Sequence, residues 1–315
     1  MKSAAPARPH KEAARITKML DAVLGEDRFD RAPVDVAELA MEYSRNVAPD
    51  GPIHCVEEAD IAGCVGALVC SDSAPRQWAI MYNRGQSEGR RTFTIGHEFG
   101  HFVLHRTAIE NDPEFDHAIY CDEEAVVQRG GSGIEEEADI FAAGILMPLH
   151  DFRLQMPARA QPNFAALSEL AQRYGVSLTA VILRWLEYTE TRAMLVVSNE
   201  GFAHWAKSSK AAFRSGRFLR TKNEVCQLPA LATAVTRSFS EEAKVGIPQE
   251  SGTWFPEPVV EMCLRSDRYD QELTLLHFER QSVWHSDEEP VEDSFDRFAA
   301  QHPWRADQAD PIVIN

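Results

Sequence analysis

The sequence predicts an α+β fold in two parts, and two observations support this prediction. Before residue 190, long segments with apolar residues at helical spacing surround two short strand-like runs. From Ala193 onward, short β-rich runs recur between turn residues. A chain of 315 residues is long enough to hold two domains and a well-buried core. We therefore expect a domain boundary near residue 190.

Apolar periodicity, capping residues and turn residues predict the individual elements in chain order. Helices are expected at about 10–24, 34–44, 90–105, 134–147, 164–174, 178–188, 224–240 and 291–300. Strands are expected near 61–70, 77–83, 193–197, 201–205, 252–255 and 273–278. The resulting domain organisation is a flexible N-terminus (1–9), a first domain (10–155), a segment resembling a helix-turn-helix (156–190), a mixed α/β accessory domain (191–302) and a flexible tail (303–315).

The stretch from residue 94 to residue 105 is the most informative part of the chain. His97 and His101 lie one helical turn apart on the same face, a spacing at which two imidazoles can bind one zinc ion. Glu98 then lies beside the metal, where a carboxylate can take the proton of an attacking water. Apolar flanking residues indicate a buried helix, where these polar groups are costly unless a metal satisfies them. The alternative interpretation is two ordinary histidines on a half-exposed helix.

A zinc ion that performs chemistry needs a third protein ligand. His105 lies a further turn along, where rise and angular drift carry it away from the first two histidines. We interpret His105 as a helix-end histidine near the negative end of the helix dipole.

A second predicted helix, from Gly133 to the stop at Pro148, offers the third ligand instead. Glu135 is the candidate ligand, and Asp139, one turn on, is expected to orient a ligand histidine through its free ring nitrogen. Small alanines on the same face would let the two helices approach closely. Two alternatives to Glu135 stay open if the helical phase is off by one residue, Glu136 and Glu137. A solvated acidic first turn is a further alternative.

Both helices carry longer motifs, and the stretches around them fit the same pattern. The motifs are Arg91-Thr92-Phe93-Thr94-Ile95-Gly96-His97-Glu98-Phe99-Gly100-His101 and Glu135-x-x-Ala138-Asp139-x-Phe141-Ala142-Ala143-x-x-Leu146-Met147-Pro148, with supporting stretches at 34–40, 63–70, 78–83 and 164–186. Over roughly residues 10–190 the chain resembles the ImmA/IrrE family of bacterial metallopeptidases. One departure is the longer and more acidic loop between Arg106 and Gly133.

The resemblance implies a zincin-like metallopeptidase domain, in which a small antiparallel or mixed sheet packs on the two helices. It implies one Zn²⁺ per chain, held by His97, His101 and Glu135, with Glu98 as the general base. Mn²⁺ and Fe²⁺ remain alternatives because a His₂Glu set tolerates them. Tyr120 and His117 are candidates for stabilising the oxyanion or contacting the substrate.

The resemblance further implies a zinc-dependent endopeptidase that cleaves a helix-turn-helix repressor of the XRE type, to derepress stress-response or mobile-element genes. The C-terminal domain would then be the input that controls cleavage. We expect the substrate peptide to add as an extra strand along residues 63–70. The alternatives are a non-catalytic, metal-containing regulator that binds a repressor or DNA, and a toxin–antitoxin component. Intact Glu98 favours the enzyme, since a structural metal site needs no base.

The net charge and the cysteine content limit which partners and which cellular location the sequence predicts. The formal net charge of −17 opposes nucleic-acid binding, although direct binding through residues 164–222 stays an alternative because of a basic stretch there. Acidic residues between 110 and 124 are expected to steer a basic partner toward the site. Six cysteines without a C-x-x-C pair, and no apolar run of membrane length, predict a soluble cytoplasmic protein with reduced thiols. Cys64 is expected to be a small core residue rather than a metal ligand, and three histidines of the C-terminal part are expected to be structural (His204, His277 and His285).

Overall fold

The computed structural model describes residues 8–71, 75–111, 115, 117–122, 133–221 and 224–279. Several predicted features lie outside these residues: most of the N-terminal segment, the helix at 291–300, the tail, His285 and most of the acidic stretch between 110 and 124. The described residues adopt the expected α+β fold, with a helix-rich first part and a C-terminal antiparallel sheet.

The first part alternates helices with a small sheet. Its elements are α1 (Pro9–Leu24), α2 (Val36–Val47), β1 (Ile53–Ala59), β2 (Cys64–Cys70), β3 (Trp78–Asn83), α3 (Glu88–Asn111), β4 (Ala118–Asp122), α4 (Gly133–Leu146), α5 (Leu149–Gln155), α6 (Phe164–Tyr174) and α7 (Leu178–Tyr188). Side-chain caps begin three of the helices as the sequence suggests, since Asp35, Asn163 and Ser177 each accept a hydrogen bond from a first-turn amide. Strands β1 and β4 and helix α5 were not predicted.

The first sheet is mixed, with strand order β1-β3-β2-β4. Strand β1 runs parallel to β3, and the other neighbours are antiparallel. Strand β2 therefore lies between β3 and β4, and its backbone groups are already paired on both sides. The prediction that a peptide adds along residues 63–70 is wrong for this reason. In the described part of the chain, β4 pairs on one side only.

The C-terminal part forms a second sheet with short helices. Its elements are β5 (Ala193–Asn199), β6 (Phe202–Ser208), α8 (Lys210–Arg214), β7 (Cys226–Gln227), α9 (Thr233–Thr236), α10 (Glu241–Val245), β8 (Ile247–Gln249), β9 (Val259–Ser266) and β10 (Gln271–Phe278). The strand order is β7-β6-β5-β10-β9-β8, with antiparallel pairing throughout.

Two predicted C-terminal elements are wrong. The long helix at 224–240 is replaced by β7 and the short α9. Pro229 interrupts the helical pattern, and the buried Glu261 carboxylate accepts a hydrogen bond from the Thr233 amide at 2.8 Å. The strand at 252–255 is a turn with an isolated bridge between Phe255 and Glu257, while the neighbouring strand β9 was missed.

Alternating side chains of the second sheet contribute to two different cores. Leu195 and Val197 face the same apolar core as Phe99 and Trp185 of the first part. Met194 and Val196, on the opposite face, belong to a smaller core closed by the short helices and by residues around Trp254. The first part and the second sheet are therefore packed together, and the domain boundaries proposed from sequence stay predictions.

The helix pair α6–α7 matches its predicted bounds and turns at Gly175, whose φ of 62° suits glycine. Arg184, a polar residue of α7 that could have faced DNA, is buried and donates to the Met147 carbonyl at 2.9 Å. Val181, Ile182 and Trp185 are fully buried. The pair thus supports the core, as the sequence favoured. No described helix combines the length and apolar character needed to cross a membrane.

A buried carboxylate fastens α5 to the end of α6. Asp151 accepts hydrogen bonds from Arg173, at 2.9 and 3.2 Å, and from the Tyr174 hydroxyl. Burial alone would raise the pKa of Asp151, but the bonds from Arg173 and Tyr174 outweigh it and hold this pKa below its usual range.

We expect the substitution Asp151→Asn to lower the free energy of unfolding by about 3 kcal/mol near neutral pH, because Arg173 loses its buried partner. The pKa of Asp151 is lower in the folded state than in the unfolded state. Its contribution is therefore fully present above the unfolded-state pKa of about 4 and is lost as the pH falls through the folded-state value. Urea unfolding at neutral and acidic pH checks this.

The matched control is Asp27→Asn, which breaks an exposed ion pair with Arg31. It should change stability by less than about 1 kcal/mol at either pH. Equal effects of the two substitutions would contradict the assignment.

Candidate metal centre

Close packing of α3 on α4 brings the two predicted site helices together. A Cβ added at Gly100 would lie 3.1 Å from the Ala138 Cα, and one added at Gly96 would lie 3.4 Å from the Ala142 Cβ. At Gly100 even a methyl group would press on the backbone of α4. The small residues expected on α4 thus meet glycines on α3, and polar groups of both helices face one space.

Three donor groups converge in that space. The Nε2 atoms of His97 and His101 lie 3.0 Å apart. The Glu135 carboxylate lies 3.2 Å from the His97 Nε2 and 3.4 Å from the His101 Nε2. Glu136 is exposed, and the Glu137 carboxylate contacts His105 instead. Of the three candidate glutamates, Glu135 is the one whose carboxylate the structure brings to both histidines.

Hydrogen bonds determine which nitrogen of His97 carries a proton. Its Nδ1 lies 3.0 Å from the Asp139 Oδ1, and an ionised carboxylate can only accept a hydrogen bond. The Nδ1 therefore donates to Asp139, and in the neutral imidazole the Nε2 is the nitrogen left to bind a metal ion. Asp139 lies where the sequence predicted an orienting residue.

The protonation of the His101 ring follows in the same way from the contacts of His105 and Glu137. The His105 Nε2 donates to Glu137 at 2.9 Å, which leaves the His105 Nδ1 as an acceptor. That Nδ1 lies 3.1 Å from the His101 Nδ1, which must then donate. With both rings neutral, this leaves the Nε2 of His101 as the nitrogen that can bind a metal ion. The interpretation of His105 as a helix-end residue is wrong, since α3 continues to Asn111.

Glu98 is fully buried, and neither carboxylate oxygen accepts a hydrogen bond from a described residue. It fits only because Gly66 on β2 lacks a side chain, since a Cβ there would lie 2.6 Å from the Glu98 Oε1. Burial raises the pKa of Glu98 to about 7, against a lowering by the charge of His97. A carboxylate with such a pKa suits proton transfer near neutral pH.

One member of this site, Cys121 on β4, was not predicted from the sequence. Its Sγ lies 3.6 Å from the His101 Nε2, and it is fully buried. One ligand atom from each of four residues, His97, His101, Cys121 and Glu135, lies within 4.8 Å of the others. Burial, followed by the negative charge of Glu98, raises the pKa of the thiol. Exposed and buried side chains alternate over residues 118–121, as expected of a strand. Only the pairing with β2 shows that the Cys121 side chain points into the site.

The two remaining candidate residues lie at the same strand. The Tyr120 side chain is 60% exposed and projects to the opposite face from Cys121. His117 precedes β4 with a φ of 59°, and its carbonyl accepts a hydrogen bond from the Cys70 amide. Their roles in stabilising the oxyanion or contacting the substrate stay predictions.

A buried helix bearing two histidines one turn apart, joined by a glutamate from a second helix, is the His₂Glu arrangement found in one class of metallopeptidases. Residues 56–186 match the family model described as the IrrE N-terminal-like domain. This part of the chain is a domain of the ImmA/IrrE metallopeptidase family, which confirms the resemblance drawn from sequence.

A solved structure of a Mycobacterium tuberculosis transcriptional regulator is similar to this chain, with a TM-score of 0.50 and 14% sequence identity. The similarity covers 86% of this chain and 76% of that chain. At this identity the likeness concerns the fold alone. Among curated protein sequences, none matches the chain significantly.

We expect Glu137→Gln and His105→Ala to weaken binding of one divalent metal ion by about 10–100-fold, because each breaks the chain of hydrogen bonds that keeps the His101 Nε2 available to a metal ion. Competitive titration with a zinc-binding dye measures the affinity. Glu136→Gln is the matched control, since it removes the same charge from the same helix turn at an exposed position. An equal loss of affinity in the control would mean that general electrostatics, rather than orientation of His101, is responsible.

Proposed function

We propose that the chain is a zinc-dependent endopeptidase whose metal ligands are His97, His101 and Glu135. One observation carries the proposal: the Nε2 atoms of two histidines and a carboxylate face one another at 3.0–3.4 Å. With both histidines neutral, these groups offer three lone pairs to one cation. The residues present therefore fit a divalent metal ion, and the donor set is one that zinc favours.

When bound, zinc would polarise the scissile carbonyl and make a nearby water more acidic. Glu98 is the proposed general base, because its buried carboxylate has no other partner among the described residues. It takes a proton from the attacking water and passes that proton to the nitrogen of the leaving amine. Asp139 and the pair of His105 and Glu137 hold the two ligand rings in orientation.

The edge of β4 that is unpaired among the described residues is the proposed place for the substrate backbone. The His117 carbonyl bonds to the Cys70 amide on β2, so strand alternation turns the backbone groups of Tyr120 outward. A peptide that pairs with Tyr120 would run beside Cys121 and past the metal-binding residues. In this arrangement Tyr120 contributes its backbone, while its side chain stays on the far face.

By family resemblance, the proposed substrate is a helix-turn-helix repressor of the XRE type, cleaved to derepress stress-response or mobile-element genes. The second sheet is the proposed input. Tyr269, in the turn between β9 and β10, accepts a hydrogen bond from the Ser87 amide at 3.0 Å and bonds to the Ser87 hydroxyl at 2.9 Å. Ser87 immediately precedes the helix that carries His97 and His101. A displacement of this turn would therefore move the start of the metal helix directly.

The metal assignment is tested by elemental analysis of purified protein. Wild type should contain about one zinc ion per chain, and His97→Ala and Glu135→Ala should lose it, because each removes one of three ligands. Glu136→Ala, one position along the helix, should keep it. Metal that survives Glu135→Ala would overturn the ligand assignment.

The catalytic proposal is tested with Glu98→Gln, which keeps the shape of the side chain but cannot take a proton. Co-expressed with XRE-type repressors from the same host, wild type should yield cleaved repressor by intact-mass analysis. The variant should cleave roughly 10²–10⁴-fold more slowly while retaining zinc and repressor binding. Unchanged biological function in the variant would instead favour a non-catalytic regulator.

A further inference from the structure

We infer that Cys121 is a fourth ligand of the metal site, and that the resting protein holds its metal in a closed set of two histidines, one glutamate and one thiolate. The inference rests on the proposed function, since it requires the metal that His97, His101 and Glu135 would hold. Catalysis then requires Cys121 to leave the metal. The protein would therefore be synthesised in a latent form.

The Cys121 sulfur lies close to the ligand atoms of the other three residues. The Cys121 Sγ lies 3.6 Å from the Nε2 of His101 and within 4.8 Å of the ligand atoms of His97 and Glu135. The residue is fully buried. Strand β4 is held in register on β2 from Ala118 to Asp122, so the inward direction of this side chain is set by strand pairing.

The state of Glu98 is a second observation that points to a cation. Glu98 is fully buried, and both its carboxylate oxygens lack a hydrogen-bond donor among the described residues. Its Oε1 lies beside Gly66, which is the cross-strand partner of Cys121. The space between the strands and α3 thus holds an excess of electron-pair donors, and a single S–H group cannot satisfy them. A cation satisfies them, and the sulfur is placed to share it.

Another cysteine of this sheet, Cys64, does not take part in the same way. Cys64 pairs with Asp122 across a register shift in β2, and it is half-buried. Among the described residues, the group able to hold a metal includes Cys121 and not Cys64. Cys64 is therefore a matched control for Cys121.

Ligation by Cys121 is a proton-coupled step without electron transfer. The thiol loses one proton to solvent as the thiolate binds the metal, and it takes one proton back when it leaves. Closed four-donor sites are typical of structural zinc, whereas catalytic sites keep one position open. A peptide pairing with the free edge of β4 would act on the same strand that carries Cys121, which links substrate binding to opening. A sulfur donor also favours zinc over manganese.

The test uses the full chain loaded with Co²⁺, which reports thiolate ligation as an intense charge-transfer band in the near ultraviolet. Wild type and Cys64→Ser should show this band, and Cys121→Ser should lose it while still binding one cobalt ion. On the zinc form of wild type, X-ray absorption should detect one sulfur neighbour at about 2.3 Å. This second measurement needs no variant, so a misfolded Cys121→Ser protein would not obscure the result. Cys121→Ser should also release zinc to a chelator faster than wild type.

The outcomes separate the two proposals. Metal bound without a sulfur neighbour, or a band that survives Cys121→Ser, overturns the inference and leaves the His₂Glu enzyme intact. A wild-type protein that binds no metal overturns the proposed function itself. If the sulfur signal is lost in Cys64→Ser instead, the fourth ligand is assigned to the wrong cysteine.

Discussion

The burial of ionisable groups on one face of α3 is the constraint on which the rest of the first part depends. His97, Glu98 and His101 lie inside an apolar core, where each needs a polar partner or a cation. Glycines on α3 and alanines on α4 let the second helix approach closely enough to supply those partners. The close contact between helices is thus a requirement of the site as much as of the core, because a wider spacing would leave the histidines unsatisfied.

The small sheet completes the site from the other side. Gly66 leaves room for the Glu98 carboxylate, and its cross-strand partner Cys121 points its sulfur at the histidines. The sheet therefore accommodates Glu98, whose carboxylate has no hydrogen-bond partner among the described residues, and it contributes a fourth electron-pair donor. In the proposed site, a tetrahedral metal ion would have one coordination position beyond His97, His101 and Glu135, and water and the Cys121 thiolate would compete for it. Catalysis and latency would then be two occupancies of that position.

The second sheet is an integral part of the fold, because side chains on one of its faces complete the apolar core of the first part. The contact of Tyr269 with Ser87 places a turn of that sheet at the residue immediately before the metal helix. A helix start is sensitive to such contacts, since its first amides lack intrahelical partners. In the proposed regulation, a small molecule or protein partner that moves this turn would act on the metal-binding residues through the start of α3. The rest of the fold would not need to change.

Local features of the fold and of the site follow from the sequence alone. The spacing of His97 and His101, the acidic first turn of α4 and the capped pair α6–α7 depend on residues near one another in the chain, and helical periodicity is a local property. Contacts between segments that are distant in the chain became apparent only in the tertiary structure. It placed Glu135 rather than Glu136 against the histidines, joined His105 to Glu137, enclosed β2 between two neighbours and brought Cys121 to the site. Strand register and the phase of one helix against another set these contacts, and neither is encoded in any short stretch of sequence.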